Sequence, residues 1–253
     1  MSRHIPRFAV RLAANEADLA AAQALRFQVF VQELGGAGGS LTDHLAGQEA
    51  DAFDRHSEHL LLIDLLRGDA VVGTTRVMDR AGADRAGRFA TEDEFDISPL
   101  LSSARRLMEL GRTCLHPDYR GGGALLRLWQ GLAGLVEERK IDLIFGLASF
   151  TGTDAQALAQ PLSCLSQDHL ADEGLRPRSL RPVPMDLVPP GALDRRAAML
   201  ATPALIKAYL RLGGKVGEGA FLDSAFRCLD VCMVLDTATL SARARTIYGG
   251  ERG

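Results

Sequence analysis

The chain has 253 residues, 47% of them hydrophobic, enough to bury one large core or two modest ones, and a single domain with an elaborated end is the expectation. A formal net charge of −3 provides no global field toward nucleic acid or an anionic membrane, so nucleic-acid binding by bulk charge is excluded and any steering falls to local patches. No stretch approaches the roughly 18 apolar residues of a membrane span and the opening MSRHIPRF has no signal-peptide apolar region, so a cytoplasmic location is expected.

In chain order, Arg7 to Leu12 reads as a first strand. Asn15 then caps a helix with Glu16 and Asp18 in its first turn, running to about Glu33, with Arg26 and Phe30 four apart on one face. The glycine-rich segment from Gly35 to Ser40 follows a helix rather than a strand and lacks the Lys-Ser/Thr of a phosphate-binding P-loop, so it reads as a flexible loop and a candidate lid. After Asp51, Phe53 and Asp54 come two strands, Glu58 to Leu66 and Ala70 to Met78, joined by the turn Arg67, Gly68, Asp69 as a hairpin. Residues 79 to 96 are polar and read as a surface excursion, followed by a short helix at Ile97 to Ala104.

The next stretch, LMELGRTCLHPDYRGGGA at 107 to 124, reads as a buried strand that runs into a glycine loop opening a helix. Glu109 and Arg112 sit within an otherwise apolar strand, where unpaired charge is costly, so they point to a site. Gly111 between them is the residue expected at a bulge, which leaves backbone N–H groups unpaired and able to polarise a carbonyl. The loop Arg120, Gly121, Gly122, Gly123, Ala124 turns further N–H groups toward an anion at the helix N-terminus, a combination suited to a phosphate-carrying thioester.

Leu125, Leu128, Leu132 and Leu135 mark a helix from Ala124 to Arg139, and Ile141 to Ala148 is an apolar strand, completing a βαβ unit. Thr153 to Leu170 reads as helical, while the five prolines between Arg176 and Pro190 preclude a long regular element there. Pro203 opens a helix over Ala204 to Leu212 that carries Lys207 and Arg211 beside an apolar face. A strand at Asp230 to Leu235 and a terminal helix close the chain. Residues 176 to 215 hold eight Arg or Lys against two Asp, a basic, proline-containing helical insertion in a slightly acidic chain, with Leu205, Tyr209 and Leu212 as candidate apolar contacts to an anionic membrane. The alternative is that this helix pair packs on the sheet.

Taken together, Arg26-x-x-x-Phe30, Asp51-x-x-Asp54, Arg76 at a strand end and Glu109-x-x-Arg112 resemble the acyl-homoserine-lactone synthases of the GNAT acyltransferase superfamily. The strings LRFQVFVQE, HLLLID, ELGRTCLHPDYR, LIFGLASFTGTD and PALIKAYLRLGG are similar to the ornithine-lipid N-acyltransferases, also labelled haemolysin-like, from about residue 8 to 236. That resemblance implies an α/β GNAT-like fold, a mixed central sheet flanked by helices with a C-terminal helical elaboration. It also implies transfer of a 3-hydroxyacyl group from acyl carrier protein to an amino acid's α-amine.

In this reading Glu109 and Arg112 are catalytic, Arg26, Phe30, Asp51, Asp54 and Arg76 bind the amino acid, and Arg120 to Ala124 take the phosphopantetheine. No cofactor is bound, and the phosphopantetheine of acyl carrier protein, or acyl-CoA, is the co-substrate. Leu125 stands where the family loop has a small residue, which fits the single phosphate of a carrier arm better than the pyrophosphate of coenzyme A. Acceptors other than ornithine (glutamine, lysine or glycine) stay open, as do an acyl-homoserine-lactone-type synthase, a non-catalytic acyl-carrier sensor and a membrane-active protein. His59 and Asp64 have a His-x₄-Asp spacing but face opposite sides of a strand, and His56 and His59 near Asp51 and Asp54 match no specific metal pattern. Cys114, Cys164, Cys228 and Cys232 are too scattered for a disulfide framework and read as reduced thiols, Cys114 as a buried one.

Overall fold

The computed structural model describes residues 7–240. β1 (Phe8–Leu12) leads to α1 (Glu16–Arg26), whose start is set by the Asn15 side chain accepting from the Asp18 N–H, with Glu16 and Asp18 at the positive end. The helix widens into a π-helical segment, Phe27–Glu33, which sends Phe27 and Val29 inward. β2 (Glu58–Asp64) and β3 (Ala70–Asp79) form the antiparallel hairpin implied by the sequence, and Gly68 and Asp69 both take positive φ in its turn. α2 (Arg80–Ala86), a 3₁₀ turn at Ala90–Asp93, β4 (Phe95–Asp96) and α3 (Ser98–Leu101) precede β5 (Leu107–Leu115). Then come α4 (Ala124–Arg139), β6 (Leu143–Thr151), α5 (Ala159–Asp168), β7 (Arg178–Ser179), α6 (Arg195–Ala201) and α7 (Ala204–Arg211). β8 (Lys215–Val216), β9 (Phe221–Asp223) and β10 (Cys228–Asp236) complete the regular elements.

The described residues divide into two compact units, one of residues 7–78 and 110–140, the other of residues 79–109 and 141–240. In the first, the strand order is β1-β2-β3-β5. α1 packs through Ala22 on Leu61 and Ile63, and α4 lies against β1 and β2. That approach depends on Gly131, where an added Cβ would overlap the Val10 side chain. In the second unit the order is β5-β6-β10-β8, with β9 also on β10. β6 and β10 pair antiparallel along their whole lengths, whereas β5 pairs parallel with β6 from Leu107↔Leu143 to Glu109↔Phe145, the parallel neighbours of the expected βαβ unit. β6 and β10 are apolar almost throughout, as strands covered on both faces must be.

Four expectations are corrected. Residues 79 to 96 are no surface excursion: Phe89, Thr91 and Phe95 are fully buried, and Phe89 meets Phe145 edge to face at 5.1 Å. The segment from Gly35 to Ser40 is packed rather than loose, since the Gly39 N–H donates to Glu49 Oε1 at 3.0 Å and a Cβ there would collide with Ala50 O and Asp51. Only Ala159–Asp168 of the span 153 to 170 is α-helical. α7 turns Ile206, Ala208 and Tyr209 inward and Leu212 is buried just beyond it, so Tyr209 and Leu212 are not outward apolar contacts, and the helix packs on β6 and β10. The terminal helix expected after Leu235 lies for its greater part beyond residue 240, outside the described residues.

Candidate active site

In the first unit, three arginines and three carboxylates from four separate stretches of chain meet in one network. Arg26, at the end of α1, donates from Nη1 and Nη2 to Asp54 at 3.0 and 2.9 Å and from Nε to Glu49. Arg76 of β3 donates from Nη1 to Asp51 Oδ1 and to Asp54 Oδ1, the latter at 2.9 Å. Arg112 of β5 donates to Glu49 Oε1 at 3.1 Å and to Asp51 Oδ2 at 2.9 Å. Backbone and amide groups add to this: the Phe53 N–H donates to Asp51 at 2.9 Å and the Gln23 side chain to Asp54 at 3.1 Å.

Burial decides what these contacts are worth. Arg26 and Glu49 are wholly buried, and Asp51, Asp54 and Arg76 nearly so, so each charge depends on its partners for the solvation it has lost. Burial alone would raise the Asp51 and Asp54 pKa values, but Arg76 and Arg112 around Asp51, and Arg26 and Arg76 around Asp54, hold both below the ordinary carboxylate range. Burial likewise opposes the charge on Arg26, and Asp54 and Glu49 outweigh it and raise the pKa. Arg112 is the most accessible of the six, with 22% of its side chain exposed.

The structure therefore brings Arg26, Asp51, Asp54, Arg76 and Arg112 together as the sequence pattern suggested, and adds Glu49, which that pattern missed. Charge balance is the signal that finds it: three converging guanidiniums, two of them buried, require a third carboxylate, and Glu49 stands two residues before Asp51. Phe30 instead packs against Leu25, Val29 and Cys114. The backbone irregularity expected at Gly111 falls one residue later, where Arg112 takes φ 52°. For a residue with a Cβ this left-handed conformation is unfavourable by roughly 1–2 kcal/mol, offset by two charge-assisted bonds.

Glu109 belongs to the second unit and is 3% exposed. Its carboxylate receives the N–H of Thr91 on Oε1 at 2.6 Å and that of Ala90 on Oε2 at 3.2 Å. Both N–H groups start the 3₁₀ turn at Ala90–Asp93, fixed in turn by the Glu92 side chain accepting from the Phe89 N–H at 2.7 Å. Each Glu109 oxygen keeps lone-pair capacity for a further donor. The segment read as an excursion thus supplies the support for the one buried carboxylate of β5.

At the start of α4, Gly121 takes φ 76° and Gly123 provides no side-chain cap, so the first N–H groups of a sixteen-residue helix face outward from an uncapped turn. Arg120 is engaged by Glu33 in a bidentate pair and by the Leu115 carbonyl at 3.1 Å, which lowers its value as a phosphate ligand. Of the residues expected from the sequence to cradle a phosphate, Gly121, Gly122 and Gly123 are exposed and Ala124 is buried.

The other candidates fall away as sites. His59 Nε2 lies 3.3 Å from the Asp54 carbonyl, and Asp64 accepts instead from the Tyr119 hydroxyl at 2.8 Å and from Arg7, so His59 and Asp64 form no dyad. His56 is held by Arg55 at 2.9 Å. Burial pushes the Cys114 thiol up to about 12, which removes it as a nucleophile. One cluster went unseen in the sequence: Asp223, Cys228 and Asp230, with the Cys228 thiol donating to Asp230 at 3.4 Å.

Residues 25–130 match the family described as Acetyltransferase (GNAT) domain. Over 245 residues the chain is 51% identical to an L-ornithine N(alpha)-acyltransferase of Rhodobacter capsulatus, covering 95% of this chain and 94% of that protein. It is 38% identical to the protein of the same name from Brucella abortus, covering 96% and 89%. Among solved structures it is similar to FeeM, an N-acyl amino acid synthase from uncultured soil microbes, at TM-score 0.55 and 11% identity, covering 96% of this chain and 99% of that one. The acyl-homoserine lactone synthase BjaI gives TM-score 0.55 and 13% identity, covering 95% and 87%. At these identities the two structures share the fold.

Proposed function

The chain belongs to the L-ornithine N(alpha)-acyltransferase family of GNAT fold, and from that premise we propose that it moves a 3-hydroxyacyl group from acyl carrier protein to the α-amine of ornithine, giving lyso-ornithine lipid. The observation that carries the chemistry is Glu109, a buried carboxylate fixed by two N–H groups with lone pairs to spare. An α-amine is mostly protonated at neutral pH, and Glu109 takes its proton, directly or through one water, so that nitrogen attacks the thioester carbonyl. The N–C bond forms, the C–S bond breaks, and the pantetheine sulfur leaves and is protonated.

Backbone N–H groups from Gly111 to Thr113, where Arg112 bends β5, suit the developing oxyanion. General-base assistance is worth on the order of 10² to 10⁴ in rate and one oxyanion donor about 10² to 10³. Arg112, partly exposed, meets the carboxylate of the amino acid, while Arg26, Asp51, Asp54, Arg76 and Glu49 build the wall that holds it. Because the network is charge-balanced, Asp51 and Asp54 have no net charge to offer an ornithine ammonium. The uncapped start of α4 takes the single phosphate of the carrier arm.

The protein works in the cytoplasm beside an anionic membrane, which takes up its amphiphilic product. No helix among the described residues is long and apolar enough to cross a membrane. The surface for that contact is the outer side of α6 and α7, with Arg196 and Leu200 exposed one turn apart on α6, Leu200 at 73%, and Arg211 exposed on α7. Sedimentation with anionic vesicles at low salt tests this, and protein that stays in the supernatant refutes it. The transfer itself is tested by mixing protein, 3-hydroxyacyl carrier protein and ornithine, glutamine, lysine or glycine. Thiol release with ornithine above the other three is expected, and release with none of them overturns the reading.

A further inference from the structure

Within the first unit, a slot of about 10 Å³, open on one side, is lined by Thr75 of β3, Leu110 and Thr113 of β5, and Leu128, Trp129 and Leu132 of α4. Its volume admits one water-sized group. Four of the six lining side chains are Leu or Trp, and the two hydroxyls lie 2.7 Å apart in a mutual hydrogen bond. Two hydroxyls that share one bond use one proton and leave the other without an acceptor in that pair, together with spare lone pairs. Thr75 is 2% exposed and Thr113 half-buried, so that remaining proton has little water to reach. Strand alternation turns Thr75 away from the face occupied by Arg76, so its hydroxyl is not part of the ion network.

A methylene in such a slot leaves the remaining proton unpaired, whereas a hydroxyl on the entering carbon accepts it and donates back to an oxygen of the pair. Thr113 also follows Arg112 directly, on the stretch of β5 assigned above to the thioester carbonyl. We propose that Thr75 and Thr113 read the hydroxyl on the third carbon of the acyl group, making the transferase selective for 3-hydroxyacyl over unsubstituted donors. This rests on the donor class proposed above and adds the residues that recognise it. The pair partly satisfies itself when empty, so the discrimination is about tenfold rather than the far larger factors of a site whose polar groups are left wholly unpaired.

Trp129 is the single tryptophan of the chain and lines the slot, so its emission reports occupancy directly. The full chain is titrated with a 3-hydroxyacyl pantetheine thioester and with its deoxy analogue of equal length. A saturable change in emission is expected, with the hydroxylated ligand about tenfold tighter. In Thr75→Val/Thr113→Val, which removes both hydroxyls and keeps their volume, the two affinities converge to within about twofold. Thr113→Val alone, at the half-buried position, serves if the double variant fails to fold. Equal affinities in the wild type, a preference that survives the valine substitutions, or an emission that neither ligand changes because the slot holds only water, each overturns the proposal. Thiol release with ornithine is measured in parallel. Hydroxyl preference without transfer sinks the transferase reading and spares the slot, and transfer without preference does the reverse.

Discussion

Arg112 reaches Asp51 with a 2.9 Å hydrogen bond from a backbone held at φ 52°, so the residue that bends β5 is also the one that ties it to the buried ion network. The bend and the tie sit in one residue. Replacing either the guanidinium or its carboxylates therefore changes the course of the strand as well as the charge of the wall.

Arg26→Met removes the central cation and strands Glu49 and Asp54 without it. Breaking one side of a buried pair costs about 3–5 kcal/mol, which at about 2–4 °C per kcal/mol for a chain of this size lowers Tm by roughly 10 °C. Adding Glu49→Gln to the same variant recovers part of the loss, because Arg76 and Arg112 then face two carboxylates, Asp51 and Asp54, and the buried charge balances again. Calorimetry on the two variants checks this, and a single variant with wild-type Tm contradicts it.

Acid acts on the same network in two stages. Asp51 and Asp54 have native pKa values below the ordinary aspartate value of 3.8, so they bind protons more tightly when unfolded; their contribution is complete above about pH 4 and disappears as pH falls below it. His59 is also depressed, chiefly by burial and despite Asp54, from the ordinary imidazole value of 6.5, so its share is present above that pH and declines as pH falls through the lower native value. Urea melts at pH 7.5, 5.5 and 3 should show stability falling at each step, and His59→Gln should shrink the first fall, His169, which burial also depresses, keeping the remainder. A His59→Gln curve parallel to wild type would sink the assignment.

For the proposed carrier-protein donor, the cation to test at the start of α4 is Arg127, which is exposed and bonded to the neutral Gln130, whereas Arg120 is ion-paired with Glu33 and Arg139 with Glu58. Arg127→Glu is expected to raise KM for acyl carrier protein severalfold at low salt, with the difference shrinking as ionic strength rises. The same substitution leaves KM for a small pantetheine thioester within about twofold. A KM effect that salt does not change counts against electrostatic docking.

Much of the site was legible because its residues recur at short local spacings, as in Asp51-x-x-Asp54 and Glu109-x-x-Arg112, and because charge inside an apolar strand is conspicuous. Glu49 was not legible in this way. It lies in a loop of ordinary polar composition, and only the count of converging guanidiniums it must neutralise reveals it. Residues 79 to 96 misled for a related reason: their polar majority is local, while the burial of Phe89 and Phe95 is a tertiary fact, and the N–H groups that hold Glu109 belong to the backbone and carry no side-chain signature. The left-handed turn sits at Arg112 rather than Gly111 because two carboxylates distant in sequence hold the guanidinium, which local propensity does not register.

Glu109→Gln tests the central claim most directly, because it keeps the shape of the side chain and removes its ability to accept a proton from the amine. Turnover of 3-hydroxyacyl carrier protein with ornithine, measured at pH 7 and pH 9 alongside carrier-protein affinity, is the measurement. The account expects turnover at pH 7 lowered at least about 10²-fold, affinity within a few-fold of wild type, and partial recovery at pH 9, where more of the amine is already deprotonated. Near-wild-type turnover of Glu109→Gln at pH 7 would contradict it.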